Sequence, residues 1–136
     1  MPVYYADTSA LVKLVRQEAE SDALRAYLRD ADLASSELAL TEIPRAIHRV
    51  ASRDQNRLAR LLERAEEVIG KLALRPLDSH LLAAAGAFAE PALRALDAIH
   101  VATAIDLHPI ESFVTYDERQ AATARLAGMR TVAPGV

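Results

Sequence analysis

Short apolar runs alternate with longer helical patterns along the chain, and this alternation restricts the fold more than any other feature of the sequence. The first run, Val3 to Ala6, has the length of a buried strand, and a pattern of helical period follows it at once. Strands that alternate with helices are typical of a parallel sheet, because each parallel connection has to cross back over the sheet. We therefore predict an α/β fold with three layers, α/β/α, around a central parallel sheet of four to five strands. No repeat or Gly/Ser/Pro-rich linker interrupts the sequence, so residues 1–136 are predicted to form a single domain.

The same patterns predict the individual elements. After the first strand, strands are predicted at Leu33 and Ala34, from Lys71 to Leu77, from Ser112 to Asp117, and at the sheet edge from Thr131 to Ala133. Helices are predicted after a cap at Thr8 or Ser9, over about 21–29, from a cap at Ser35 or Ser36 to about Ser52, over about 54–69, from a cap at Asp78 or Ser79 through Phe88, over 94–108, and over about 118–126. Pro44 is expected to bend the third of these helices, unless that helix begins near Thr41.

Composition excludes several classes of site and of protein. The chain has no cysteine, which excludes disulfides, thiolate metal sites and cysteine nucleophiles. Its net charge of −3 argues against broad, non-specific binding to nucleic acid. No apolar run reaches the roughly 20 residues of a membrane span, and the N-terminal residues lack the basic and apolar segments of a signal peptide. These features favour a cytoplasmic protein without a membrane partner.

Acidic residues follow two of the predicted strands. Asp7 and Asp117 lie at the carboxyl ends of their strands, and open parallel sheets bind ligands outside these ends, near the point where the strand order reverses. Glu42 and Asp97 can reach the same edge from predicted helices. Taken singly, each of the four has an ordinary role as a helix cap, a turn residue or the ion-pair partner of a neighbouring arginine. Their joint placement at one edge favours a shared site.

Four carboxylates at one site would repel one another, which raises their pKa values unless a cation compensates. Oxygen-only ligands indicate a hard ion, Mg²⁺ or Mn²⁺. Such an ion activates a water and stabilises negative charge on a phosphate, which is the chemistry of metal-assisted phosphodiester hydrolysis.

Four motifs resemble those of the PIN domain, and specifically of the VapC-type toxin ribonucleases of bacterial toxin–antitoxin pairs. They are 7-DTS-9, the helical glutamate in 41-TEIPRA-46, 96-LDAIHVATA-104 and 115-TYD-117. The motifs span nearly the whole chain, and their order and spacing make the set more specific than any one of them. Glu37 competes for the role of the helical glutamate, but 36-SEL-38 fits the motif less well than the segment around Glu42.

The resemblance implies a PIN-like sheet between helices and a Mg²⁺-dependent endoribonuclease activity. By motif match, the acidic quartet that holds the metal and carries catalysis consists of Asp7, Glu42, Asp97 and Asp117. Ser9 and Thr115 would orient carboxylates or waters. The resemblance also implies three partners, namely an RNA substrate, a cognate antitoxin protein and a second copy of the chain in a homodimer.

Six arginines recur every three to four residues from Arg45 onward. Arg45 and Arg49 lie next to the Glu42 motif and are possible contacts to RNA phosphates. For the arginines beyond Arg49, a solvated face paired with neighbouring glutamates is the favoured interpretation. The four histidines, His100 among them, show no spacing suited to zinc and are interpreted as structural or surface residues. Asp78 is interpreted as a helix cap.

Two other functions remain open on the residues alone. A catalytically silent PIN-fold module would keep the fold in order to bind a partner, and a receiver-like signalling domain also places acids at strand ends. A receiver needs paired acids after its first strand and a late lysine, whereas Ala6 precedes Asp7 and the only lysines are Lys13 and Lys71. A phosphatase of the Asp-x-Asp type is disfavoured because Ser9 stands in place of the second acid.

Overall fold

The computed structural model describes residues 2–136. Its elements, in chain order, are β1 (Val3–Ala6), α1 (Thr8–Val15), α2 (Ser21–Tyr27), β2 (Asp32–Ser36), α3 (Ala39–Ala51), α4 (Gln55–Ile69), β3 (Ala73–Arg75), α5 (Ser79–Gly86), α6 (Ala95–Asp106), β4 (Ser112–Val114), α7 (Glu118–Leu126) and β5 (Thr131–Val132). The predicted alternation of strands and helices is confirmed.

The five strands form one sheet in the order β3-β2-β1-β4-β5, and every neighbouring pair is parallel. The chain builds outward from β1 to β2 and β3, then returns to the other side of β1 for β4 and β5. The strand order therefore reverses between β1 and β4, which is the place where open α/β sheets bind their ligands. The predicted three-layer α/β/α fold with a parallel sheet of four to five strands is confirmed.

Side chains of β1 and β4 alternate between the two faces of the sheet, as the period of a strand requires. Tyr5 pairs with Phe113, and both are buried in a cluster with residues of α6 and α7. Ala6 pairs with Val114, and both are buried in a cluster with residues of α1, α3 and α4. A third cluster joins α5 to α6. Both faces of the central strands are thus covered, which explains their almost continuous apolar sequence.

Several predicted boundaries were wrong, each for a local reason. Helix α1 is capped by Asp7 rather than by Thr8 or Ser9, because the extended backbone of Asp7 lets its side chain accept a hydrogen bond from the amide of Ala10. Strand β4 ends at Val114, three residues before Asp117, which is the N-cap of α7.

Strand β3 and helix α5 are shorter than predicted, and α3 begins at a residue that was not predicted as its start. The third strand spans only Ala73–Arg75 instead of Lys71 to Leu77, and α5 ends at Gly86 rather than Phe88. Helix α3 begins at Ala39, so neither a serine cap nor a start near Thr41 is correct, and it continues through Pro44. Because Pro44 lies in the second turn, the helix omits one amide hydrogen bond there.

Within residues 2–136, no helix is both long enough and apolar enough to cross a membrane.

Candidate active site

Asp7 is fully buried at the carboxyl end of the central strand. Its Oδ1 accepts hydrogen bonds from the Ser9 hydroxyl at 2.7 Å and from the Ala10 amide at 3.1 Å. Its Oδ2 accepts a hydrogen bond from the Thr115 hydroxyl at 2.6 Å. A carboxylate can be buried only when its oxygens are satisfied in this way, so Ser9 and Thr115 fix the orientation of Asp7.

The same two hydroxyls tie the segment after β4 to Asp7. The amide of Asp117 donates to the Thr115 hydroxyl oxygen at 3.0 Å, and the amide of Tyr116 donates to the Ser9 hydroxyl oxygen at 3.0 Å. The predicted convergence of the acids that follow the first and fourth strands is therefore mediated by two polar side chains. We name this group, consisting of Asp7, Ser9, Thr115 and Asp117, the strand-end group.

Burial disfavours the charged form of Asp7. Desolvation raises the pKa of the Asp7 carboxyl, while the nearby His100 and the hydrogen bonds from Thr115, Ser9 and the Ala10 amide lower it, and the net direction is upward. A raised pKa means that the surroundings disfavour the charged form. An additional positive charge near this carboxylate would offset that penalty.

Glu42 reaches the site from the first turns of α3 and is held differently. Its Oε1 accepts a hydrogen bond from the Thr8 hydroxyl at 2.6 Å and lies 2.7 Å from Nε2 of His100. Its side chain is 22% exposed, so one end remains open to solvent. Desolvation raises the pKa of Glu42, but the contact with His100 and the hydrogen bond from Thr8 outweigh it, so the net pKa is lowered. We name Glu42, Thr8 and His100 the helix group.

Asp97 lies in the first turn of α6 and is joined to α7 by Gln120. The side-chain amide of Gln120 donates to Oδ1 of Asp97 at 3.0 Å, and its backbone amide lies 3.4 Å from Oδ1 of Asp117. Oδ2 of Asp97 faces the backbone amide of Arg94 at 3.4 Å. Gln120 is buried, and its Oε1 has no hydrogen-bond partner among residues 2–136. An orphaned buried carbonyl of this kind usually marks a position for a water or an ion.

All four acids lie on elements that begin at the carboxyl edge of the sheet, yet they are not gathered into one ligand set. Within residues 2–136, no group of three or more histidine, aspartate or glutamate side chains is placed to hold a metal ion. Each carboxylate is instead engaged by protein donors. The donor chemistry nevertheless fits a hard divalent cation, because it offers carboxylate, hydroxyl and amide oxygens and no sulfur.

A cleft of about 260 Å³ opens beside the helix group. It is lined by Thr8, Thr41, Glu42, Arg45, Arg49 and Leu96. Both arginines are exposed, and neither makes an ion pair within residues 2–136. Two guanidinium groups next to a carboxylate can bind phosphate oxygens on one side of a reacting centre. Among Arg53, Arg57, Arg60 and Arg64, only Arg64 forms the predicted pair with a glutamate within residues 2–136, with Glu67 at 3.0 Å.

Some residues were assigned correctly and others were overlooked. Asp78 caps α5 through the amide of Leu81, as predicted, and Glu37, the alternative to Glu42, accepts a hydrogen bond from the amide of Leu77. His100 was interpreted only as structural or surface, yet it is buried and contacts Glu42. Gln120 was not considered. Gln120 lies three residues after Asp117, and this spacing was the available local signal, whereas no local spacing links His100 to Glu42.

A model of the PIN domain matches residues 4–126 of the chain, which includes every one of these carboxylates. The chain belongs to the PIN-domain family. Curated relatives of this PIN domain include Ribonuclease VapC35 of Mycobacterium tuberculosis strain ATCC 25618 / H37Rv, 40% identical over 137 residues and 96% of each chain. Ribonuclease VapC46 of the same strain is 40% identical over 136 residues, covering 98% of this chain and 99% of that one. The predicted resemblance to VapC-type PIN domains is confirmed.

Solved structures of other PIN-domain proteins share the fold. VapC20 of Mycobacterium tuberculosis, described as a Sarcin-Ricin loop cleaving toxin, aligns with a TM-score of 0.72 and 17% identity over 96% of this chain and 99% of that one. VapBC2 from Rickettsia felis, bound to a DNA fragment from their promoter, aligns with a TM-score of 0.66 and 12% identity over 96% and 97% of the two chains. At these identities, the likeness concerns the fold alone.

Proposed function

We propose that the protein is a VapC-type endoribonuclease, the toxin of a toxin–antitoxin pair, which hydrolyses phosphodiester bonds in RNA. Two findings support the proposal: the near-full-length relatives named as VapC ribonucleases, and the acids at the strand-order reversal of the sheet. The observation that carries it furthest is Asp7, a fully buried carboxylate at the end of the central strand. Burial raises the pKa of this carboxyl, and ionisable groups whose pKa values are shifted by burial are concentrated at functional sites.

The proposed cofactor is Mg²⁺, with Mn²⁺ as an alternative, held by the quartet Asp7, Glu42, Asp97 and Asp117. Bound there, such an ion supplies an activated water and stabilises charge on the scissile phosphate. The oxygen donors fit this ion, and the orphaned Oε1 of Gln120 between Asp97 and Asp117 offers a further acceptor for a water.

The protein's own residues have separable tasks in this proposal. Thr115 and Ser9 hold Asp7 in one orientation, so that little reorganisation accompanies the reaction. Arg45 and Arg49 bind phosphates that flank the cleaved bond and thereby set the position of the RNA strand. The surroundings of Glu42 lower its pKa and so favour its charged form, which is the form that binds a cation.

Two protein partners belong to the proposal. A cognate antitoxin is supported by the likeness of the fold to that of a VapBC complex. A homodimer and a cytoplasmic location remain predictions based on the sequence, as does the organisation of 1–136 as a single domain. Membership of the PIN family leaves a catalytically silent PIN-fold module as the main competing function.

Cleavage of RNA by the purified, partner-free protein tests the proposal. Total cellular RNA is incubated with wild-type protein in Mg²⁺, with wild-type protein in chelator, and with Asp97→Ala in Mg²⁺. The control variant Asp22→Asn removes a carboxylate whose side chain is 88% exposed on α2. We expect discrete fragments from wild type and Asp22→Asn in Mg²⁺ only. Equal cleavage by Asp97→Ala would overturn the site, and absence of cleavage by folded, Mg²⁺-loaded wild type would favour the silent module.

A further inference from the structure

A buried chain of hydrogen bonds runs from the core of the sheet to Glu42. The hydroxyl of Tyr5 lies 2.8 Å from Nδ1 of His100, and Nε2 of the same ring lies 2.7 Å from Oε1 of Glu42. Tyr5 is fully buried and His100 is 2% exposed. The Tyr5 ring is stacked on Phe113 with centroids 5.2 Å apart, so its hydroxyl has a fixed position on β1. The imidazole thereby links the central strand to α3.

The direction of the bond to Glu42 follows from the donor inventory. An ionised carboxylate has only acceptors, so Nε2 of His100 must carry a hydrogen and donate it to Oε1 of Glu42. The hydroxyl of Tyr5 can then donate to Nδ1, which fixes both the tautomer and the rotation of the ring. Outer hydrogen-bond partners of this kind commonly set the orientation of a side chain that binds a metal.

Both donors to Glu42 bind the same carboxylate oxygen. Thr8 and His100 both contact Oε1, and within residues 2–136 no donor contacts Oε2. Glu42 also lines the cleft that contains Arg45 and Arg49. The carboxylate is therefore held through one oxygen, and within residues 2–136 the other has no protein donor.

We propose that His100, braced by Tyr5, is a positioning residue that orients Glu42 for its role in the site. This inference rests on the proposed function, because it assigns Glu42 a role there. His100 acts through Glu42 and touches neither RNA nor the reacting atoms. The competing explanation is a buried histidine that only stabilises the fold, and it predicts changes in stability without changes in metal affinity or kcat.

Three variants separate these explanations, with one matched control. His100→Leu removes both hydrogen bonds of the ring, and His100→Gln restores a side-chain amide that can donate to Glu42. Tyr5→Phe removes only the hydroxyl that braces the ring. Tyr27→Phe is the control, because it removes an equivalent hydroxyl that bonds Ser112 instead of His100.

The first measurement is the affinity of RNA-free protein for Mn²⁺, read from the electron paramagnetic resonance signal of unbound Mn²⁺. We expect His100→Leu to bind Mn²⁺ about 10-fold more weakly, which is the usual scale for loss of an outer partner of a ligand. His100→Gln is expected to recover most of the loss, Tyr5→Phe to show a smaller loss, and Tyr27→Phe to match wild type. In RNA cleavage, kcat is expected to fall with the Mn²⁺ affinity while KM stays near the wild-type value.

The second measurement is the protonation of the His100 ring nitrogens in wild type, by long-range proton–nitrogen correlation NMR. We expect Nε2 to carry the hydrogen, and Tyr5→Phe to change the Nδ1 signal. An unprotonated Nε2 overturns the proposal even if His100→Leu does not fold. Wild-type Mn²⁺ affinity and kcat in folded His100→Leu also overturn it.

Failure of this inference is distinguishable from failure of the proposed function, because neither Mn²⁺ binding nor the NMR measurement requires RNA. Wild type that binds Mn²⁺ but cleaves no RNA contradicts the function, while the dependence of Mn²⁺ affinity on His100 still decides the positioning role.

Discussion

Asp7 and Glu42 carry the same functional group into the candidate site, but the protein holds them in contrasting ways. Asp7, in the strand-end group, is fully buried with both oxygens bonded, and its pKa is raised. Glu42, in the helix group, is partly exposed with one oxygen bonded, and its pKa is lowered. Two carboxylates whose surroundings shift their pKa values in opposite directions are typical of sites in which each has its own task. The contrast indicates that the strand-end group holds Asp7 in a fixed position, whereas the helix group leaves one oxygen of Glu42 free to change its position.

The largest effect is expected on cleavage, where the two carboxylates should be equally indispensable. Asp7→Asn and Glu42→Gln each keep the shape of the side chain and remove its charge. We expect each to reduce the rate of RNA cleavage by about 100-fold or more, the scale of losing one preorganised charged or polar group in an active site. Initial rates in Mg²⁺ at saturating RNA measure the effect. A variant that retains the wild-type rate would show that its carboxylate does not take part in cleavage.

A smaller effect is expected on stability when the hydroxyl donors are removed. Thr115→Val leaves Oδ2 of buried Asp7 and the amide of Asp117 without their partner, so we expect a loss of about 2 kcal/mol. Thr8→Val should lose less than about 1 kcal/mol, because His100 and solvent still satisfy Glu42. Urea unfolding at pH 7 measures both free energies. Equal losses of unfolding free energy would show that the hydrogen bond to Asp7 contributes no more to stability than the hydrogen bond to Glu42.

The subtlest expectation concerns the sign of two pH dependences. The folded pKa of Asp7 is raised above its ordinary value of 3.8, so its ionised form costs stability, and this cost appears as the pH rises above about 4. The folded pKa of Glu42 is lowered below 4.5, so its ionised form adds stability, which is lost as the pH falls through that lowered value.

Thermal unfolding in chelator between pH 3 and pH 7 tests these signs. At pH 7, Asp7→Asn should melt above wild type, since asparagine also serves as a helix cap, and Glu42→Gln should melt below it. Both differences should shrink toward low pH, where all the carboxyls are protonated. Shifts of the same sign at pH 7 would contradict the contrast between the two groups.

Much of the fold was predictable because its signals are local. The run Val3–Ala6 and the helical pattern after it identify β1 and α1 from adjacent residues, and the same logic applies along the chain. The convergence of Asp7 and Asp117 followed from topology, since parallel strands present their carboxyl ends at one edge. The cap of α1 was missed because Asp7, Thr8 and Ser9 are all good N-cap residues, and only the backbone conformation selects among them.

The internal partners of the acids were not predictable, because they are distant in sequence. His100 meets Glu42 across 58 residues, and Gln120 meets Asp97 across 23. Both contacts depend on how α6 packs against its neighbours, and helical spacing limits only which side chains share a face. The four acids were predicted as a single set, whereas the structure distributes their hydrogen bonds between the strand-end group, the helix group and Gln120. Their roles as metal ligands remain predictions.

The hydrogen bond from Thr115 to Asp7 joins residues that are 108 positions apart, and this separation matters during synthesis of the chain. Ribosomes add only about 5–20 residues per second, so β1 emerges several seconds before the strand that completes its environment. Until Thr115 and Asp117 are in place, Asp7 has no buried setting and the sheet has no reversal point. If the proposed site is correct, the nascent chain cannot assemble it before β4 and the residues after it have been translated, and the time between translation of β1 and of β4 is an interval without the proposed RNA cleavage.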